Sequence, residues 1–257
     1  MDLPLSDRLP RAALVTGGAR RIGRAIAEAL AEAGFDIAIH CRDGRAEAAA
    51  LAGEIIAAGR RALVLEADLS DETATQGLLA RATPLAPIGV LVNNASVFER
   101  DEWESADHVS WDLHLETNLR APFVLTQHFA RALPPHAEGV IVNLLDERVW
   151  SLTPHFISYT LSKSGLWTLT RTLALALAPR IRVAAIGPGP TLPSSRQTPA
   201  DFARQSALLP LRRGATPAEI ARAVLMILAL PSFTGQMLAL DGGQHLQWAP
   251  AMSPVEE

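Results

Sequence analysis

Short apolar runs alternate with longer segments of helical period along almost the whole chain, and no other feature restricts the fold as much. Residues 12–16 are mainly apolar and lead into Gly17-Gly18, as a buried strand running into a tight turn does. Over residues 22–33, Ile22, Ile26, Ala29, Leu30 and Ala33 fall on one helical face, and Gly34 supplies a C-cap. The same pairing recurs as strand 35–40 with helix 45–58, strand 61–66 with helix 71–80, and strand 89–92 with a helical stretch over 105–132. Strand 140–144 then precedes helix 158–177, and strand 181–186 follows. Thr216 as N-cap and Pro217 at the first helical position open a helix running to residue 229, and residues 236–240 form a last strand before Asp241-Gly242-Gly243. Such alternation requires crossover connections of one hand and a parallel sheet covered on both faces. The expected fold class is therefore α/β, a single doubly wound domain over residues 1–257 with about seven parallel strands.

Composition narrows the partners. With 49% apolar and 19% charged residues, the 257-residue chain can bury a large core. A net charge of −4 provides no basic field for nucleic acid, and no apolar stretch is long enough to span a bilayer, so neither nucleic acid nor membrane is an expected partner. The lone cysteine, Cys41, fits a reduced, cytoplasmic setting. Residues 187–214 hold five of the 18 prolines without a clear period and read as a substrate or lid loop, while residues 249–257 read as a frayed tail. The seven histidines lack metal-ligand spacing, and no metal is assigned.

Four constellations carry chemistry. Thr16-Gly17-Gly18-Ala19-Arg20-Arg21-Ile22-Gly23 lies between the first strand and the first helix, where glycines let a pyrophosphate approach and the helix N-terminus offers free amides. At the end of the second strand, 18 residues beyond Gly23, stands Cys41 and then Arg42 instead of the acid that would hold the adenosine ribose of NAD. A guanidinium there suits a 2′-phosphate, which favours NADPH, although Asp43 follows one position later. Asp68 and Asn93-Asn94-Ala95 follow the third and fourth strands, at the strand ends where ligands of such sheets bind. Finally, the only tyrosine and the only lysine, Tyr159 and Lys163, are four residues apart on a predicted helix, so phenol and ammonium can share one site. A cation nearby is expected to lower the phenol pKa and make it a better proton donor.

From Thr16 to Gly243 the sequence resembles the short-chain dehydrogenase/reductase family, which implies a Rossmann fold. The first turn resembles that family's Thr-Gly-x-x-x-Gly-x-Gly motif, with Arg21 at its middle glycine. Thr117-Asn118-Leu119, Tyr159, Lys163, Pro188-Gly189, Thr234-Gly235-Gln236 and Asp241-Gly242-Gly243 match further motifs. The resemblance implies that Tyr159 donates a proton, Lys163 holds the cofactor ribose and Asn118 anchors a proton relay. It implies NADPH/NADP+ contacts at Gly17, Arg20, Arg21, Ile22, Gly23, His40, Arg42, Asp68, Leu69, Asn93, Ala95, Ser96, Tyr159, Lys163, Pro188 and Gly189. Asp68 is expected at the adenine edge and Asn93 in the central sheet, and a homotetramer is the implied assembly.

One departure narrows the reading. Thirteen residues before Tyr159, where the family usually has a carbonyl-polarising serine, stands Asp146. Pteridine reductases of the family carry aspartate there, and Arg21, Ser96 and Phe98 also agree with that subgroup. The resemblance then implies a pterin substrate touching Arg21, Ser96, Phe98, Asp146 and Tyr159, with Phe98 as a flat stacking face and catalysis by Asn118, Asp146, Tyr159 and Lys163. The expected activity is NADPH-dependent reduction of a dihydropterin to a tetrahydropterin. Alternatives are a carbonyl reductase or alcohol dehydrogenase, with Ser151 or Ser158 doing the serine's work, Asp146 a turn residue and Phe98 ordinary packing, or a non-catalytic NADP(H)-binding regulator.

Overall fold

The computed structural model describes residues 4–85 and 87–246; the expected tail, 249–257, lies outside them. Seven strands form one parallel sheet: β1 (Ala12–Val15), β2 (Asp36–Cys41), β3 (Ala62–Glu66), β4 (Val90–Asn93), β5 (Gly139–Leu144), β6 (Ile181–Pro188) and β7 (Met237–Leu240). Their order, β3-β2-β1-β4-β5-β6-β7, reverses direction between β1 and β4. That reversal opens a crevice at the carboxyl ends of the two strands.

The sheet is covered on both faces because successive strand residues point to opposite sides and both sides are apolar. Ala13 and Val15 of β1 join Ile37 and Ile39 of β2 against α1 (Arg21–Glu32), α2 (Arg45–Ala57) and α9 (Pro217–Ala229). Ala12 and Leu14 face the other way, toward Leu78 of α4 (Leu78–Arg81), Leu125 and Phe129 of α6 (Ala121–Ala132), and Leu173 of α7 (Ile157–Leu177). Among the described residues no helix is long and apolar enough to cross a membrane.

Three expectations need correction. The helix expected over 71–80 breaks at Gly77 into α3 (Glu72–Gln76) and α4. The long stretch over 105–132 begins only at α5 (His108–Leu115), capped by Asp107, and passes through a π-helical turn at Glu116–Arg120 before α6. The segment 187–214 is not all loop: its first two residues extend β6, and α8 (Pro199–Ala207) lies within it. Helix α8 carries one large apolar residue, Phe202, and buries no side chain, but Thr198 and Asp201 form a capping box around Pro199.

Candidate active site

Two adjoining cavities lie at the carboxyl edge of the sheet. The first, about 390 Å³, runs along the Gly17–Gly23 turn to the end of β2; the second, about 300 Å³, lies over the end of β5 and the start of α7. Arg21, Ile22, Asn94 and Ser96 line both.

The first cavity is built by close backbone approach. Gly17 has φ +61°, and a Cβ on Gly23 would sit 2.1 Å from the Gly17 carbonyl oxygen, so α1 can press against the turn only with glycine at that position. Helix α1 has no side-chain N-cap, leaving its first amides available to an anion. His40 ties the turn to the sheet: its Nδ1 accepts from Gly17 N at 3.1 Å, and its Nε2 lies 3.1 Å from Ala67 O, which it can only donate to. Burial lowers its pKa to about 4, so the ring is a neutral buckle. At the end of β2, Arg42 and Arg20 bring guanidinium groups to the cavity, pairing with Asp43 at 2.9 Å and Glu47 at 2.5 Å. Asp43 is exposed and turned onto Arg42. Asp68 and Leu69 line the opposite wall, and two hydrogen bonds from Ser70, with its backbone N–H contributing most, lower the pKa of Asp68.

Asn93 does not reach either cavity. It is buried in the sheet, donating from Nδ2 to Asn143 Oδ1 at 2.8 Å, while Asn143 in turn donates to Thr170. Its neighbour Asn94 faces the cavities and clamps the crevice, with Nδ2 donating to Thr16 O at 2.8 Å and its backbone N–H to Thr16 Oγ1 at 2.9 Å. Adjacent strand-end residues face opposite sides, so only one of the two asparagines could line the cleft. Ala95 and Ser96 continue that wall.

In the second cavity Tyr159 and Lys163, one turn apart on α7, sit beside Asp146. The Tyr159 hydroxyl donates to Asp146 Oδ2 at 2.8 Å, and Lys163 Nζ donates to Leu144 O at 2.8 Å. The phenol pKa does not fall, as the sequence suggested. Burial first, and then the Asp146 carboxylate, push it well above its usual value, because ionising the phenol would place a second negative charge against the first. Burial lowers the Lys163 ammonium to about 8, against the pull of Asp146. Asp146 also accepts from Arg148 N at 2.9 Å and caps the short 3-10 turn Glu147–Val149. Pro188 and Gly189 line this cavity and not the first.

Asn118 lines neither cavity. It sits in the π-helical turn, accepting on Oδ1 from Val97 N (2.8 Å) and Ser96 Oγ (3.2 Å) and donating from Nδ2 to Val97 O (2.9 Å) and Ser162 Oγ (3.1 Å). Its side chain thereby staples the segment after β4 to α7. Phe98 is not a free platform. Phe156 stacks on one face at 4.4 Å, the Tyr159 ring meets it edge-on at 4.7 Å, and the guanidinium carbons of Arg148 and Arg196 lie 5.7 and 5.0 Å from its centroid. Ser158 is unavailable for a serine role: it is buried and donates to Asp101, while His114 Nδ1 lies 2.7 Å from its oxygen. The backbone N–H of Glu99 donates to His114 Nε2, which places the proton on Nδ1, and burial lowers that ring's pKa.

Arg21 joins the two cavities. It holds φ +53°, a conformation easy for the glycine common at that motif position, and Nη2 donates to Leu192 O and Pro193 O at 3.3 and 3.0 Å. Arg196, from the same segment, donates to Phe98 O at 3.2 Å and pairs with Glu99. Phe156, Arg148, Arg196 and the Asp101 and His114 partners of Ser158 escaped the sequence reading, which placed Asn94 at the strand end but assigned the cofactor contact to Asn93. Only the Asn93-Asn94 pair carried a readable sign, the strand alternation.

A crevice at the sheet reversal, a glycine-rich turn beneath an uncapped helix and a buried Tyr/Lys pair beside a half-buried aspartate define an α/β protein with two adjoining cavities. The chain belongs to the short chain dehydrogenase family, whose pattern matches residues 11–202, and it is an oxidoreductase of that kind. It is similar to FolM alternative dihydrofolate reductase 1 from Brucella canis, complexed with NADP: 49% identity, 96% of this chain and 100% of that one covered, TM-score 0.92. The corresponding protein from Brucella suis, also in complex with NADP, is 52% identical with 93% and 96% covered and a TM-score of 0.90. Among curated relatives, the 3-oxoacyl-[acyl-carrier-protein] reductase FabG of Staphylococcus aureus is 28% identical over 245 residues, covering 93% of this chain and all of that protein.

Proposed function

We propose that the protein is an NADPH-dependent reductase of dihydropteridines, adding a hydride to carbon and a proton to nitrogen of a ring C=N bond to give the tetrahydro form. The observation that carries this reading is the 2.8 Å hydrogen bond from Tyr159 to Asp146, in a cavity that Phe98 also lines. A carboxylate oxygen that accepts the tyrosine's hydrogen bond has no O–H to offer a ketone. It suits the N–H-rich edge of a pterin, and a proton can pass along the pair to a ring nitrogen. Similarity to two alternative dihydrofolate reductases, at 49% and 52% identity, supports the same substrate class.

The first cavity fits a phosphorylated dinucleotide. The uncapped N-terminus of α1 and the Gly17 turn suit the pyrophosphate, Arg20 and Arg42 suit a 2′-phosphate, and Asp68 and Leu69 would flank the adenine. When bound, the reduced nicotinamide supplies the hydride. Lys163 holds a positive charge beneath the tyrosine and a donor for a ribose hydroxyl. Tyr159 keeps its proton until a basic nitrogen is presented, because its pKa is raised. Asp146 orients the phenol, Asn118 fixes the wall carrying Ser96 and Val97, and the buried position of Tyr159 excludes water.

Similarity to a 3-oxoacyl reductase favours a second reading, reduction of a ketone. NADPH oxidation with dihydrobiopterin, dihydrofolate and an acetoacetyl thioester separates the two. We expect turnover of a dihydropteridine, and its loss by about 100-fold or more in Asp146→Ser, the scale of a proton-transfer contribution. Turnover of the thioester alone overturns the pteridine reading.

A further inference from the structure

The carboxamide of Gln244 stands in the wall of the second cavity without a hydrogen bond to any described residue. Its oxygen is buried, its backbone is fixed, and the neighbouring wall leaves the oxygen room. On the backbone side, Gln244 begins a 3-10 turn, Gln244–Leu246, whose first N–H donates to Asp241 O at 3.2 Å. Buried Asp241 braces that turn, accepting from the N–H groups of Gly243 and His245 at 3.0 and 2.7 Å. On the cavity side, a Cβ on Gly189 would meet the Gln244 oxygen at 3.1 Å, so glycine at 189 leaves that oxygen its room. The 3-10 turn also packs against the one that Asp146 caps.

Buried polar atoms are almost always paired, because leaving one unpaired forfeits its hydration without return. A glutamine whose backbone is fixed at a cavity wall and whose amide oxygen is buried and unspent is therefore a recognition group awaiting a partner. A primary carboxamide presents one acceptor and one donor side by side, so its complement is a planar edge with an N–H next to a carbonyl or ring nitrogen. Asp146, in the same cavity, adds an acceptor-only group.

We propose that Gln244 is a specificity-determining residue that reads the amide edge of a pyrimidinone-containing substrate by a paired hydrogen bond. This rests on the dihydropteridine reading and deepens it: the pterin's N–H and adjacent carbonyl or ring nitrogen, and not the reducible ring, are what Gln244 recognises. A substrate with the same reducible ring fused to benzene gains nothing from it.

The test compares wild type with Gln244→Met, which keeps the length and volume without the amide. Steady-state kinetics use dihydrobiopterin and a methyl-dihydroquinoxaline, the benzo analogue lacking the pyrimidinone. NADPH binding and the thermal midpoint are read on both proteins to check the fold. We expect the dihydrobiopterin KM to rise about ten-fold, the scale of one bidentate amide pair, with kcat and NADPH affinity within about two-fold. The dihydroquinoxaline KM should be unchanged. A KM for dihydrobiopterin that stays within two-fold in Gln244→Met, while wild type turns it over, overturns the Gln244 assignment alone. Equal KM increases for both substrates also overturn it, since a general distortion would act that way. Wild-type protein that neither binds nor reduces dihydrobiopterin overturns this inference and the pteridine reading together.

Discussion

Lys163 is the single lysine of the chain, and nearly all of its surroundings are protein. Burial without a full counter-charge holds its pKa at about 8, below the 10.5 of a free side chain. It therefore carries its charge below about pH 8 and loses it above. An ammonium beneath Tyr159 offsets negative charge appearing on the phenol oxygen as the proton leaves, and a neutral amine does not. Turnover should fall as pH rises through about 8, with Lys163→Arg, which stays charged, shifting that limb to higher pH in whatever activity it retains. A pH–rate profile flat from 7 to 9.5 in wild type would show that the charge of Lys163 is not used. Tyr159 cannot produce this limb, because its own pKa lies well above 10.

At the scale of elements, the Gly17–Gly23 turn and the segment 187–214 are coupled through Arg21. The backbone at φ +53° costs about 1–2 kcal/mol for a side chain with a Cβ, and two hydrogen bonds to Leu192 O and Pro193 O come with it. Arg21→Gly relieves that strain while adding chain entropy of similar size, so global stability should stay within about 1 kcal/mol. The latch is lost, however, and limited proteolysis should cut faster between β6 and α8. An unchanged cleavage rate, with stability preserved, would show that Arg21 does not restrain the segment. These elements also mark where the sequence was legible. The sheet was readable because both faces are apolar and every strand is followed by a turn signal. The Thr198-Pro199 start of α8 carries the same grammar as Thr216-Pro217, yet α8 packs no residue into a core, and with Phe202 as its single large apolar residue it read as loop. Tyr159 and Lys163 were legible from spacing alone, whereas Phe156, Arg148 and Gln244 reach the site only through tertiary packing. The raised phenol pKa was hidden for the same reason, since burial outweighs a cation one helical turn away.

Over the whole molecule, stability should depend on acid through His40, which joins the turn after β1 to Ala67 beyond β3. In the unfolded chain a histidine takes its proton near pH 6.5, and in the folded chain only near 4. The unfolded state therefore binds more protons between those values. The contribution of neutral His40 is fully present above about pH 6.5 and is lost as pH falls toward 4, a change of about 3 kcal/mol at most. Urea unfolding at pH 7.5 and 5.0 should show this fall, and His40→Gln, which cannot titrate, should flatten it. An equal fall in that variant would assign the dependence to other groups, such as buried His114.

The two cavities share a wall made of Arg21, Ile22, Asn94 and Ser96. Any shift of that wall by one occupant is felt by the other, and thermodynamics makes the influence mutual: the factor by which the first alters the second's affinity is returned in full. Neither dissociation constant then belongs to one cavity alone. A substitution in that party wall of four residues is then expected to change both affinities at once.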